Sequence, residues 1–264
     1  MTFTKTKQFN NLDTMNKVII VILTYFPLVS FASDVTFERL DSNVNLSLVT
    51  GTVGNYYNYG MGINASIIRD NLWGSVNLSG VTNLQTTLLN VVQPQRISNN
   101  ISMSGKVGYV LNSYNNLIFI PYIGVGFDSS NMTFYTDSSE PLFNYSDVNL
   151  NIIGGIKPEL ALSKILKLSM DTNIILEEQK TIVPNTETTL AHSDLLNYYL
   201  NITPALQINP YKNLNIELFY QYSTALTNNQ ITHNVIYQGY SSASIINSTL
   251  KAQNMLGINI GLLF

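Results

Sequence analysis

Apolar positions in this chain recur at every second residue. Counting back from the C-terminus, Phe264, Leu262, Ile260, Ile258 and Leu256 share one face of an extended segment; Leu263, Gly261, Asn259, Gly257, Met255, Gln253 and Lys251 share the other. Successive side chains of a strand point to opposite faces, so the pattern predicts a strand that is apolar on one side and small or polar on the other. The same period holds upstream. Val44, Leu46 and Leu48 alternate with Asn45 and Ser47. Val148, Leu150, Ile152 and Ile156 alternate with Asn149, Asn151, Gly155 and Lys157. Leu166, Leu168, Met170 and Ile174 oppose Lys167, Ser169, Asp171 and Asn173. Further rows start at Leu196 and Leu214. Helical spacing is hard to find anywhere. The polar faces carry Asn, Ser, Thr and Gly, where a soluble sandwich would set Lys and Glu against water. That predicts a polar face lining a crowded interior and an apolar face toward lipid.

The links between these strands fall into two lengths. Short ones are Arg69-Asp70-Asn71, Asn112 to Asn116, the region of Ser163-Lys164, and Asn209 to Asn213; longer polar stretches are 82–98, 128–146, 178–193 and 225–249, with a shorter one near 54–58. Short and long links alternate, as tight periplasmic turns and long outer loops do in outer-membrane barrels. The expected fold is all-β: a single transmembrane antiparallel up-and-down barrel of ten strands, with eight or twelve as alternatives. With the C-terminus in the periplasm, every long loop falls outside. Tyr56, Tyr57, Tyr59, Trp73, Tyr109, Tyr114, Phe127, Tyr198, Tyr199, Tyr211, Tyr220 and Tyr222 cluster near strand ends, where interfacial girdles are expected.

Before the strands lies an export signal. Met15-Asn16-Lys17 gives a basic start, Val18 to Val29 an apolar run, and Ser30-Phe31-Ala32 a small-x-small site, so cleavage is expected after Ala32. The run is too short to span the bilayer and Pro27 interrupts it. Residues 1–32 are therefore expected to be a signal peptide and 33–264 the barrel, and the reading leaves open whether Met1 or Met15 is the true start.

Composition narrows the function classes. Charged residues make up 11% of the chain, against about 25% in an ordinary soluble domain. The absence of cysteine removes disulfides, thiolate metal sites and a cysteine nucleophile. A formal net charge of −3, without a basic patch, argues against nucleic acid as a partner.

With these residues in view, the chain resembles the small bacterial outer-membrane β-barrel superfamily of opacity-like and porin-like proteins. Three features carry the resemblance: the Leu256, Ile258, Ile260, Leu262 and Phe264 row, the segment Pro121-Tyr122-Ile123-Gly124-Val125-Gly126-Phe127, and Gly105-Lys106-Val107-Gly108-Tyr109. The resemblance implies location in the outer membrane of a Gram-negative envelope, with lipid and lipopolysaccharide around the wall. It also implies that the terminal row is an assembly signal read by the barrel-assembly machinery, with periplasmic chaperones as partners during biogenesis. It says little about function, because this fold hosts adhesins, channels, structural barrels and hydrolases.

The inward phase is expected to hold Lys106, Lys157, Lys167 and Lys251 together with Glu159, Asp171, Glu177 and Glu217. Buried charges must be paired, so these form either a plugging network that ties the wall together or the lining of a narrow polar pore. Mixed neighbours favour the plug; opposite charges segregated on facing walls favour the pore. Catalysis finds little support. The two histidines, His192 and His233, fall in outer loops, and His192-Ser193-Asp194 cannot form one site if extended, since adjacent residues face opposite ways. Residues 82–98 hold no aspartate, so half of the constellation of ten-stranded outer-membrane proteases is missing. No cofactor, metal or catalytic residue is expected. The leading expectation is a non-enzymatic envelope barrel, structural or adhesin-like, with a host or envelope ligand at its outer loops. A narrow porin-like channel for small polar solutes is the alternative, and a loop-borne hydrolase ranks last.

Overall fold

The computed structural model describes residues 42–53, 56–84, 96–114, 116–135, 141–182, 195–227, 230–237, 240–248 and 252–264. The expected export signal, His192 and Lys251 lie outside them. Thirteen strands follow one another: β1 (Ser42–Val53), β2 (Tyr56–Arg69), β3 (Leu72–Leu84), β4 (Arg96–Tyr109), β5 (Leu111–Tyr114), β6 (Leu117–Tyr135), β7 (Pro141–Ala161), β8 (Leu166–Ile182), β9 (Leu195–Tyr211), β10 (Leu214–Ala225), β11 (Gln230–Tyr237), β12 (Tyr240–Ser248) and β13 (Ala252–Leu263). Strands β4 and β5 form one wall strand, both pairing with β6 and interrupted at Val110, whose N–H donates to the Asn71 carbonyl. Each wall strand pairs with its sequence neighbour, and β13 closes the ring between β10 and β1. The result is a closed barrel of ten antiparallel strands.

Burial is inside out relative to a soluble domain. Ile123, Ile152 and Leu256 are 69%, 61% and 60% exposed, and Val44, Leu46, Leu48, Val76, Ile101 and Leu262 join them in an apolar belt around the wall. Asn45, Ser47, Asn151, Asn173, Asn197, Asn201, Asn215 and Asn259 are buried on the inner face. Apolar side chains turned out and amides turned in are stable only where the outside is hydrocarbon, so the wall spans a membrane.

The short links are tight. Arg69 pairs with Leu72 across Asp70 and Asn71, whose φ values are 50° and 65°. A two-residue hairpin of type I′ needs positive φ at both central positions, and Asp and Asn tolerate it best after Gly. All four expected long loops are partly strand: β3 and β4 reach Leu84 and Arg96 within 82–98, and β8 reaches Ile182 within 178–193. In 128–146, β6 and β7 continue to the pair Tyr135–Pro141. They run for 19 and 21 residues, where crossing the hydrocarbon takes about 9–11. The stretch 225–249 contains β11 and β12, which among the described residues pair only with each other. Beyond the belt a ladder needs no apolar face, so the period-2 signal is lost while the pairing continues.

Candidate functional site: the barrel lumen

The inner face is built in rows, with large side chains set beside glycines. Around one row, Trp73 pairs with Gly108, Gly108 with Tyr122, Tyr122 with Gly155, Gly155 with Asn173, and Asn173 with Asn201. The rings of Trp73 and Tyr122 lie 5.4 Å apart above Gly108. A Cβ on Gly155 would fall 2.6 Å from the Tyr122 hydroxyl, so that glycine provides the floor on which the ring lies. The two glycine motifs singled out in the sequence are therefore neighbours, one on β4 and one on β6, and they share this packing.

Trp73, Val110, Ile118, Ile120, Tyr122 and Ile153 form a buried apolar cluster inside the barrel. This corrects the expectation for Trp73, which is 7% exposed and turns inward, away from any girdle. Its phase is opposite to that of lipid-facing Leu72, Val76 and Leu78, and that phase was the available signal. Tyr199 is corrected in the same way, since it shares the phase of Asn197 and Asn201 and donates to Glu177. Tyr57, Tyr59, Tyr109, Phe127, Tyr198, Tyr211 and Tyr220 are exposed on the outside.

In the half of the lumen nearer the short turns, charges are interleaved. Lys106 Nζ lies 3.2 Å from Asp171 Oδ2 and 4.8 Å from the centre of the Tyr122 ring. The Tyr122 hydroxyl donates to the other oxygen of Asp171, and Asn173 donates there too. Lys106 stands on β4 and Asp171 on β8, so this pair reaches across β6 and β7 through the interior. Below it, Glu159 receives Lys157 on one oxygen and Lys167 on the other, each at 3.0 Å. Glu217 accepts from Asn259 at 2.6 Å and lies within electrostatic reach of Lys157. Each lysine of this half sits beside a carboxylate, the mixed arrangement.

Above this tier, Ile153 pairs with Ile175. Farther toward the long loops the chemistry changes. Glu177 accepts from Asn149, Asn197 and Tyr199 at 3.4, 3.3 and 3.2 Å, and Asp128 accepts from Ser102 and Asn151. Among the described residues, no three carboxylate, histidine or cysteine side chains converge on one point.

The terminal row points outward. Leu256, Ile260, Leu262 and Phe264 are exposed and Ile258 partly so, while Gly257, Asn259, Gly261 and Leu263 face in. Phe219 lies over Gly257, where a Cβ would collide with the ring. Asn215 donates to Asn45 beside Gly261, and β10, β13 and β1 are joined there.

No protein-family model and no curated protein sequence matches the chain. Solved structures do match. The outer-membrane protease OmpT from Escherichia coli is similar over 88% of this chain and 100% of its own, at 7% identity and a TM-score of 0.50. The translocator domain of the autotransporter NalP from Neisseria meningitidis is similar over 96% and 98% of the two chains, at 9% identity and a TM-score of 0.49. A major outer membrane protein from Thermus thermophilus is similar over 84% and 99%, at 12% identity and a TM-score of 0.39. At 7% identity the likeness to the protease concerns architecture and not activity. The chain has the fold of the outer-membrane β-barrels.

Proposed function

We propose that this protein is a non-enzymatic outer-membrane barrel of a Gram-negative envelope, with a closed lumen and a structural or surface-interaction role. The observation that carries the reading is the tie from Lys106 to Asp171 and Tyr122 across the interior, with the Trp73–Ile120 cluster beside it. A ten-stranded barrel is only slightly wider than an eight-stranded one, whose side chains just fill it. One crossing ion pair and an aromatic ring therefore obstruct the path. The lysines sit beside the acids, so no charge-separated corridor runs through this half.

Surface interaction is supported by two elements that extend on the long-loop side, the long β6–β7 ladder and the β11–β12 hairpin. Paired strands that continue past the apolar belt offer an ordered backbone framework to a host or envelope ligand. In this reading the apolar belt meets lipid and lipopolysaccharide, residues 1–32 direct export, and the Leu256–Phe264 row is the signal for the barrel-assembly machinery after escort by periplasmic chaperones.

Planar-bilayer recording of the refolded protein tests the closed lumen. The expected record has no discrete conductance steps; reproducible steps would replace this reading with that of a narrow channel for small polar solutes. Deleting 230–248 tests the surface role. Cells displaying the shortened barrel are expected to lose attachment to host cells, and unchanged attachment would remove the hairpin from it.

A further inference from the structure

Two carboxylates in the long-loop half of the lumen are held by neutral groups alone. Among the described residues, Asp128 meets only the Ser102 hydroxyl and the Asn151 amide as hydrogen-bond donors. Glu177 meets Asn149, Asn197 and Tyr199. The contrast lies within one barrel, since Asp171 and Glu159 each have a lysine ammonium within 3.2 Å. Both are half-buried, and a carboxylate partly withdrawn from water without positive charge beside it favours taking up a proton or a cation.

The second observation concerns the amides. Asn149, Asn151 and Asn197 donate through their nitrogens to these carboxylates, and the carbonyl oxygen of each is buried with no hydrogen-bond partner. Asn197 is 0% exposed and Asn151 8%. A buried acceptor left without a donor is destabilising, and three sit within one amide's width of two negative charges. The strand register sets them in two adjacent rows. Asp128 pairs with Asn149 in one; two residues along β7, Asn151 pairs with Glu177 and Glu177 with Asn197 in the next.

We propose that Asp128, Glu177 and the amide oxygens of Asn149, Asn151 and Asn197 form a binding site for a divalent cation of the calcium type. Every donor is a hard oxygen, which excludes the nitrogen and sulfur preference of zinc and copper. Calcium accepts roughly six to eight oxygens, carboxylate and amide together, in irregular geometry, whereas magnesium demands a near-ideal octahedron and keeps its waters. Asp147, buried on β7, adds negative charge within electrostatic reach of Glu177.

The full refolded barrel in detergent micelles tests this with terbium, a calcium-sized ion whose emission a nearby tyrosine sensitises. Tyr199 is that tyrosine, with its hydroxyl 3.2 Å from Glu177. Terbium emission is expected on excitation of tyrosine, to be displaced by calcium chloride and poorly by magnesium chloride, and to fall in Tyr199→Phe. Paired Asp128→Asn and Glu177→Gln are expected to weaken terbium binding by about 10- to 100-fold or more. Calcium is also expected to raise the unfolding midpoint of chelator-treated wild-type protein, a measurement that stands even if the paired variant does not fold. Emission that calcium does not displace, emission that survives in the folded paired variant, or a wild-type midpoint that responds to pH but not to calcium would each overturn the site.

Discussion

Asn215 donates to Asn45 Oδ1 at 3.1 Å, although 170 residues separate them. The contact lies beside Gly261 of β13, which pairs with Asn215 on one side and with Asn45 on the other. Strands β1 and β10, the two neighbours of the last strand, are thus clasped across it by two buried amides, at a backbone position where a side chain has no room. Gly261→Ala would drive a Cβ into Asn45 Oδ1 and set it 2.6 Å from the Val44 carbonyl. Overpacking of this kind costs about 1–3 kcal/mol. The expected outcome is a lower unfolding midpoint and a smaller heat-modifiable fraction on gels. Gly105→Ala is the control, because nothing lies within 4 Å of its Cβ. Equal behaviour of the two variants would show that the clasp does not matter.

Tyr122 lies on Gly155 as Asn215 lies beside Gly261. A Cβ at Gly155 would meet both the Cζ and the hydroxyl of Tyr122 at 2.6 Å, and Asn173 Cβ at 2.7 Å. Gly155→Ala is expected to push the ring off Asp171 and destabilise by about 1–3 kcal/mol. Tyr122→Phe keeps the ring and removes its hydrogen bond to a charged acceptor, worth about 1.5–3 kcal/mol. Because both changes act on one contact, the double variant is expected to cost less than the sum of the singles. Denaturant titration of all three proteins checks this, and strict additivity would separate the glycine from the hydroxyl.

The wall was legible in the sequence because lipid enforces the period. Leu256 to Phe264 alternates cleanly, since each outward position must be apolar and each inward one must fit the interior. The Asp70-Asn71 turn was legible for a backbone reason, its positive φ. Where lipid ends, legibility ends. Residues 129–135 and 141–147 are strand without an apolar phase, and they read as loop. Trp73 and Tyr199 were placed by residue type when phase alone would have turned them inward. The partner of a lysine was legible only when close in sequence. Glu159 stands two positions from Lys157, whereas Lys106 and Asp171 are 65 residues apart and meet only because the barrel closes. The unpartnered amide oxygens carry no sequence signature, because an inward Asn reads the same whether its oxygen is satisfied or not.

Glu159 is the hub of the lower tier, at 6% exposure and shared by two ammonium groups. Glu159→Gln leaves both lysines facing each other without the charge between them. Removing one partner from a buried ionic group costs about 3–5 kcal/mol. Lys157→Met is expected to cost less, because Lys167 still neutralises Glu159. Unfolding midpoints at constant ionic strength rank the variants, and an E159Q protein as stable as K157M would mean that solvent already screens this tier.

The outer wall carries a prediction of a different kind, one that depends on depth. Ile152 stands on β7 between Leu150 and Ile156, in the middle of the apolar belt, and is 61% exposed. Tyr211 is also exposed, but it closes β9 beside the short turn to β10, at the edge of the belt. Arginine at the midplane of a barrel wall costs about 2–4 kcal/mol, and near the interface about 0–1 kcal/mol. Ile152→Arg is therefore expected to unfold from lipid vesicles at clearly lower denaturant than wild type, and Tyr211→Arg close to it. In detergent micelles, which deform around a charge, the gap between the two variants is expected to shrink. Equal penalties at both positions in vesicles would contradict the depth assigned to the belt, and with it the outward phase on which the whole wall is read.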